Sequence, residues 1–199
     1  MVVGDIDFAL AGEVAAGIRA CGGAALAHRC DVAVPEQVDA MIARAMREFG
    51  ALDLVVNNAG PWLDDDPQDH WSRIVGANLL GTMNVTRAAI PALKRRSGAI
   101  VNIAAESGLG FGPGDQPAYA AAKAGIMRFT SALGSLEAAH GIRVNCIAPD
   151  AIDSEEDFAL TVVDLALRED CAGRVVLYRG GVREVVEYGD PGYRKSVPY

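Results

Sequence analysis

The sequence predicts an α/β fold, a doubly wound parallel sheet with helices on both faces. Three observations predict it. Short apolar runs rich in Val, Ile and Leu recur along the chain, bounded by Gly, Asp or Asn, and alternate with longer stretches of helical composition. About half of the residues are hydrophobic but only 6% are aromatic, so small aliphatic side chains and glycine must fill the interior, as suits helices laid closely on a sheet buried on both sides. The 199 residues suffice for one domain with a substantial core, and no internal repeat or second domain is visible.

Residues 1–6 read as a short strand closed by Asp5 or Asp7, and 9–21 as a helix stopped by Gly22 and Gly23. A second strand covers 24–30. Pro35 then opens a helix at the position proline tolerates best, with Val38, Ile42, Ala45, Met46 and Phe49 at helical spacing and Gly50 at its end. Residues 52–57 form a strand, and 61–67, with three consecutive aspartates and two prolines, a surface loop. The stretch 69–96 is mostly helical, with Pro91 as a kink or break near its end and Lys94, Arg95 and Arg96 placed to complement a helix C-terminus. Strand 99–103, helix 117–140, strand 142–147, helix 157–168 and a last strand 174–178 before Gly180 and Gly181 complete a single domain over 1–181. Residues 182–199 read as an extended C-terminal tail lying against the body or a partner subunit.

The net charge of −8 argues against nucleic acid and against anionic membrane surfaces. No apolar run approaches the ~20 residues needed to span a bilayer, and the first residues lack the basic segment and cleavage site of a signal peptide. The expected location is cytoplasmic. Cys21, Cys30, Cys146 and Cys171 form no Cys-x-x-Cys pair, so disulfides are not expected, and Cys30 and Cys146 fall in strands as small buried side chains. His28, His70 and His140 are scattered, and no metal site is expected.

The chemistry centres on residues 98–123, where an apolar strand ends in small residues, a glycine-rich loop follows and a helix opens near Pro117. Tyr119 and Lys123 stand four positions apart on that helix and share a face. An ammonium beside a phenol favours the phenolate and draws its pKa down from about 10 towards working pH. Such a tyrosine gives or takes a proton at a carbonyl or alcohol oxygen. Upstream lie Asn57-Asn58-Ala59-Gly60 at the end of a strand and Asn78 on a helix; downstream lies the Arg143-Val144-Asn145 strand ending in Pro149.

In this order and spacing, from Met1 to Gly181, these elements resemble the short-chain dehydrogenase/reductase family. The resemblance implies a Rossmann-like fold and hydride transfer between a nicotinamide cofactor and a carbonyl or alcohol carbon. By motif, Tyr119 would be the proton donor or acceptor, Lys123 would lower its pKa and hold the nicotinamide ribose, and Asn78 would anchor a water behind Lys123; read without the family, Asn78 is a helix-bending asparagine bonded to backbone. Asp31 and Val32 would touch adenine, Asn58, Ala59 and Gly60 would line the cofactor, and Pro149, Ile152 and Ser154 would contact the carboxamide. Asp5 falls where an acidic residue holds the adenine-ribose hydroxyls and repels a 2′-phosphate, favouring NAD over NADP; it reads equally as a helix-starting aspartate, a role for which Asp7 is better placed. The helices over 69–96 and 117–140 resemble those of the family's dimer contact, so a homo-oligomer, or a pairing with an intact relative, is expected.

The chain departs from the family pattern in three places. Ala105 stands where a serine normally hydrogen-bonds the substrate oxygen, with Ser107 two residues on. The first strand and its glycine-rich, phosphate-holding turn have no counterpart, so the strands beginning near Met1 and Leu52 must pair directly or the first must slide into the gap. The segment after Ser154 is short for a helical lid. Two accounts follow: a reading frame started at an internal Met1, or a chain that has lost normal dinucleotide binding. The functional expectation is an oxidoreductase acting on a small alcohol or ketone; the alternative is a non-redox subunit or pseudoenzyme of the same fold.

Overall fold

The computed structural model describes residues 1–60, 70–110, 116–179 and 182–186. Strands β1 (Val2–Asp5) and β2 (Leu26–Arg29) flank helix α1 (Phe8–Ala20), and α2 (Pro35–Phe49) leads to β3 (Leu54–Asn57). Helix α3 (Trp71–Val75) runs through a π-helical segment, Gly76–Leu80, into α4 (Gly81–Leu93). Strand β4 (Ala99–Ile103) and a 3₁₀ turn (Glu106–Leu109) precede α5 (Pro117–Ala132) and α6 (Ser135–His140). Strand β5 (Arg143–Pro149), α7 (Glu155–Leu167), β6 (Val175–Arg179) and β7 (Val182–Val186) follow.

Local chemistry sets these boundaries. Asp7 caps α1 by accepting from the Ala9 and Leu10 amides, the role expected of it. Pro35 opens α2, and Gly50 closes it in the left-handed conformation at φ 75°. Ser154 caps α7, accepting from the Asp157 amide. The helix expected over 117–140 is two helices, broken at Leu133–Gly134. There the Gly134 and Gly173 backbones approach so closely that a Cβ on Gly134 would lie 3.2 Å from Gly173 Cα. Pro91 sits in the last turn of α4, where the helix is already ending.

The sheet is divided. Strands β3-β4-β5-β6-β7 form one five-stranded sheet and β1-β2 a separate pair. All pairings are parallel except β6 with β7, where Val175 faces Val186 and Arg179 faces Val182. Residues 182–186, expected as the start of an extended arm against the body or a partner subunit, lie in the sheet as a strand beside β6. Val185 and Val186 give that short stretch the β-branched content a strand favours. β1 and β3 neither pair nor close up: they stay as two unpaired edges with a groove between them. The expectation of direct pairing or a slide fails because α2 and Met41 pack against β1 and hold it in place.

One core lies between the sheet and the α2–α4 layer, around Val38, Val55, Leu93, Ile100 and Val144. A second lies under α7, around Val101, Ile147, Leu165 and Tyr178. The described cysteines are all free, with Cys30, Cys146 and Cys171 buried. Among the described residues no helix is long and apolar enough to cross a membrane, and no cluster of three metal-ligating side chains forms. The acidic loop expected over 61–67, the glycine pair 180–181 and the tail beyond 186 lie outside the described residues.

Candidate active site

The C-terminal ends of the parallel strands surround a cleft of about 710 Å³, the place where open α/β sheets bind ligands. Ile103, Ala104 and Ala105 form its floor at the end of β4, and Tyr119 and Lys123 enter from α5. Pro149 and Ile152 wall it after β5, and Asn58 and Gly60 after β3. Six of the sequence-predicted site residues therefore share one cavity. Gly108 explains how α5 comes so near the strand end. A Cβ there would lie 2.6 Å from the Ala124 amide nitrogen and 2.8 Å from the Lys123 carbonyl carbon, so only glycine lets the 3₁₀ turn rest on the helix at Lys123.

Lys123 is 4% exposed. Its Nζ donates to the Ile103 carbonyl at 3.0 Å and stands 5.2 Å from the centre of the Tyr119 ring, within cation–π range. Burial lowers its pKa to about 8; the nearby Cys146 pulls weakly the other way. The Cys146 thiol, fully enclosed, is itself pushed up to about 12 and stays protonated. An ammonium has three donors, and one is committed to Ile103.

Asn78 lies in the π segment, wholly buried, behind the cleft rather than on its wall. Its Nδ2 donates to the Ile74 carbonyl at 3.1 Å, the backbone bond that a helix-bending asparagine makes. A Cβ on Gly60 would lie 2.1 Å from Asn78 Oδ1, so the glycine of the Asn-Asn-Ala-Gly run makes room for this side chain.

The remaining residues that the resemblance assigns to the cofactor are placed differently. Asp5, Val32, Asn58 and Ala59 line the groove between β1 and β3, and Asn58 borders both cavities. Asp5 accepts from the Asp7 amide at 2.9 Å. Asp31 and Ser154 line neither cavity: Asp31 accepts from the Ala33 amide in a turn, and Ser154 serves as the α7 cap.

Two features escape the sequence reading. Glu106 lines the cleft and pairs with Arg179 from β6, which raises the arginine's pKa; a lone glutamate after two alanines is the only trace of it. Behind the cleft runs a buried polar chain. Asn57 donates to Thr86 at 3.2 Å and to Asn102 at 2.8 Å, and Asn102 donates to Thr130 at 2.8 Å. The signal was an asparagine inside the apolar strand Ala99–Ile103. Ser107, two residues beyond Ala105, has a buried Oγ without a hydrogen-bond partner among the described residues.

The family model described as short chain dehydrogenase matches residues 1–160. This chain belongs to that family. A short chain dehydrogenase from Mycobacterium avium superposes with a TM-score of 0.83 at 31% identity, over 94% of this chain and 75% of that one. The 3-oxoacyl-[acyl-carrier-protein] reductase of Chlamydia muridarum is 45% identical over 130 residues, covering 63% of this chain and 52% of the relative. The D-beta-hydroxybutyrate dehydrogenase of Rhizobium meliloti is 33% identical over 175 residues, covering 85% and 65%. The chain thus spans roughly half to two thirds of the length of these curated relatives. Short-chain dehydrogenases are oxidoreductases that bind NAD(P), and the residues of the cleft fit such a group: a buried ammonium with one hydrogen bond among the described residues stands among small residues, Gly60, Ala104 and Ala105.

Proposed function

We propose that this chain carries the acid–base site of an NAD(P)-dependent oxidoreductase that interconverts an alcohol and a carbonyl on a small molecule. The observation that carries the reading is the Lys123 ammonium, buried at the floor of the cleft, held by Ile103 and set against Tyr119. The cofactor, when bound, supplies or accepts the hydride. Lys123 orients a ribose diol with its remaining N–H groups and stabilises negative charge on Tyr119. Tyr119 gives the proton to a substrate carbonyl oxygen, or takes it from an alcohol. The buried Asn78 supports Gly60 from behind. NAD is preferred over NADP because Asp5 places a carboxylate at the end of β1, on the groove wall, where a 2′-phosphate would be repelled. Homo-oligomerisation through α4 and α5 belongs to the same reading.

A second reading, a non-redox subunit of this fold, is favoured by Ala105. Its methyl group lines the cleft where a hydroxyl donor would meet the substrate oxygen. Calorimetric titration with NAD separates the two. Saturable micromolar binding, lost in Lys123→Met and weakened in Asp5→Ala, supports the oxidoreductase; no heat up to millimolar NAD supports the subunit.

A further inference from the structure

Three charged side chains that take no part in the acid–base chemistry of Lys123 and Tyr119 stand in a row across the end of the sheet. In register, Ile103 on β4 faces Ile147 on β5, and Pro149 on β5 faces Tyr178 on β6. Glu106 and Asp150 each lie three residues beyond the first pair, and Asp150 and Arg179 one residue beyond the second. The three therefore follow neighbouring strands, about 4.8 Å apart, at one level. Arg179 reaches past the end of β5 and donates through Nη2 to Glu106 Oε1.

Glu106 and Asp150 line the cleft that holds Tyr119 and Lys123, whereas Arg179 does not and grips Glu106 from outside its wall. The ion pair occupies one carboxylate oxygen. The other, Oε2, has no donor among the described residues. On Asp150, Oδ1 accepts from the Ala151 amide, and Oδ2 has no donor among the described residues. Each such oxygen can accept hydrogen bonds. Ser107, which also lines the cleft, has a buried Oγ without a partner among the described residues. This wall offers acceptors and lacks donors to match them. Glu106 also directly follows Ala105, the cleft residue at the end of β4.

We propose that Glu106, positioned by Arg179 and flanked by Asp150, makes the cleft selective for uncharged substrates that carry a hydroxyl beside the reacting carbon, vicinal diols and hydroxyketones, over simple alcohols and over hydroxy acids. The reacting carbon is the one defined by the oxidoreductase reading, on which this selectivity rests. The substrate hydroxyl donates to the open Glu106 oxygen, a charge-assisted bond stronger than one between neutral groups. A simple alcohol leaves that oxygen without a partner, and sites built around a hydroxyl discriminate against analogues that lack it. Two carboxylates on the wall disfavour an anionic substrate, and the Lys123 ammonium on the floor disfavours a cationic one. Arg179 is a positioning residue and acts only by holding Glu106.

Three four-carbon probes separate the classes: 2,3-butanediol, 2-butanol and 2-hydroxybutanoate. Their binding to the full chain is measured by ligand-observed NMR titration, with and without NAD, and NAD reduction by initial rates. The diol is expected to bind at least ~10-fold tighter than 2-butanol, and the acid more weakly than either. In Glu106→Met the two alcohols are expected to bind within ~2-fold of each other. Glu106→Gln, which keeps a neutral acceptor, and Arg179→Met, which releases the carboxylate without removing it, are expected to give intermediate ratios. Glu106→Gln decides alone if the Met variant does not fold. A Glu106 that serves only the fold would lower both affinities together and leave their ratio at the wild-type value, and that result overturns the proposal. Equal binding of the two alcohols by the wild type, no binding of the diol, or tighter binding of the acid also overturns it. Discrimination in binding without NAD reduction by the diol overturns the oxidoreductase reading and leaves the selectivity standing; NAD reduction at equal kcat/KM for both alcohols does the reverse.

Discussion

Replacing Lys123 by Met should stabilise the fold while abolishing the site. Lys123 is 4% exposed, and burial moves its pKa from the ordinary 10.5 to about 8. At about 1.4 kcal/mol per tenfold change, holding that charge inside costs roughly 3 kcal/mol at pH 7. Methionine fills the same space without charge. Against this stands the lost hydrogen bond to the Ile103 carbonyl, worth about 1–2 kcal/mol. The net gain is about 1–2 kcal/mol, or roughly 2–8 °C in Tm for a domain of this size. The sign changes with pH in a definite way. Below pH 8 the amine is charged in both folded and unfolded states and the full cost is present. Between about pH 8 and 10.5 the unfolded chain binds the proton that the folded one has released, so the wild type gains stability with rising pH. The advantage of Lys123→Met should therefore shrink across that window and be gone by about pH 10.5. Paired thermal melts of the two proteins from pH 7 to 10.5 read this directly. A variant no more stable at pH 7, or an advantage that does not fall with pH, would refute the account of Lys123 as a buried cation kept for chemistry.

Three further outcomes follow from the geometry. Ala105→Ser restores a donor at the cleft wall and should raise turnover at least ~10-fold, since one such donor is commonly worth ~10²–10³ in rate; initial rates of NAD reduction with a panel of small alcohols check it, and an unchanged rate places the defect elsewhere. Gly108→Ala puts a methyl 2.6 Å from the Ala124 nitrogen and should cost about 1–3 kcal/mol while lifting the 3₁₀ turn off α5, seen as a lower urea midpoint. Asn102→Leu removes two buried hydrogen bonds, although Asn57 keeps its bond to Thr86 and the Thr130 hydroxyl still donates to the Ile126 carbonyl, and should cost about 1–3 kcal/mol; Asn57→Leu combined with it should be less than additive, because the two share one chain.

What the sequence made legible is what local chemistry decides. Strand Ala99–Ile103 and helix α2, with Pro35 at one end and Gly50 at the other, were visible because apolar runs and turn residues coincide. Tyr119 and Lys123 were legible as a pair because four residues on a helix fix a shared face. What stayed hidden depends on contacts far apart in sequence. The break between α5 and α6 packs against Gly173, distant along the chain. The Glu106–Arg179 pair joins a turn to the sixth strand. The local bonds of Asp31 and Ser154, to the amides of Ala33 and Asp157, were not read from the sequence. Residues 182–186 read as tail because five residues carry too little pattern to announce a strand; the edge of β6 decides their fate.

The π segment accounts for the backbone-bonding reading of Asn78 and places its side chain beside Gly60. A π turn inserts one residue into a helix and is often found at functional sites. Here it lies between α3 and α4, and Asn78 uses its Nδ2 on the Ile74 carbonyl, the bond expected of a purely structural asparagine. The same geometry sends Oδ1 towards the Gly60 backbone, within 2.1 Å of where a Cβ would stand. Gly60 lines the cleft and Asn78 does not, so the asparagine reaches the cleft only by way of its contact with the glycine. Gly60→Ala is then a sharper probe than any change at Asn78. It leaves the Ile74 bond intact in sequence terms, yet its methyl must displace the amide or the loop, so NAD affinity should fall while the helix around residues 76–80 keeps its exchange protection. Equal loss of protection in that helix would mean the two are one structural unit, and the site role of Asn78 would reduce to packing.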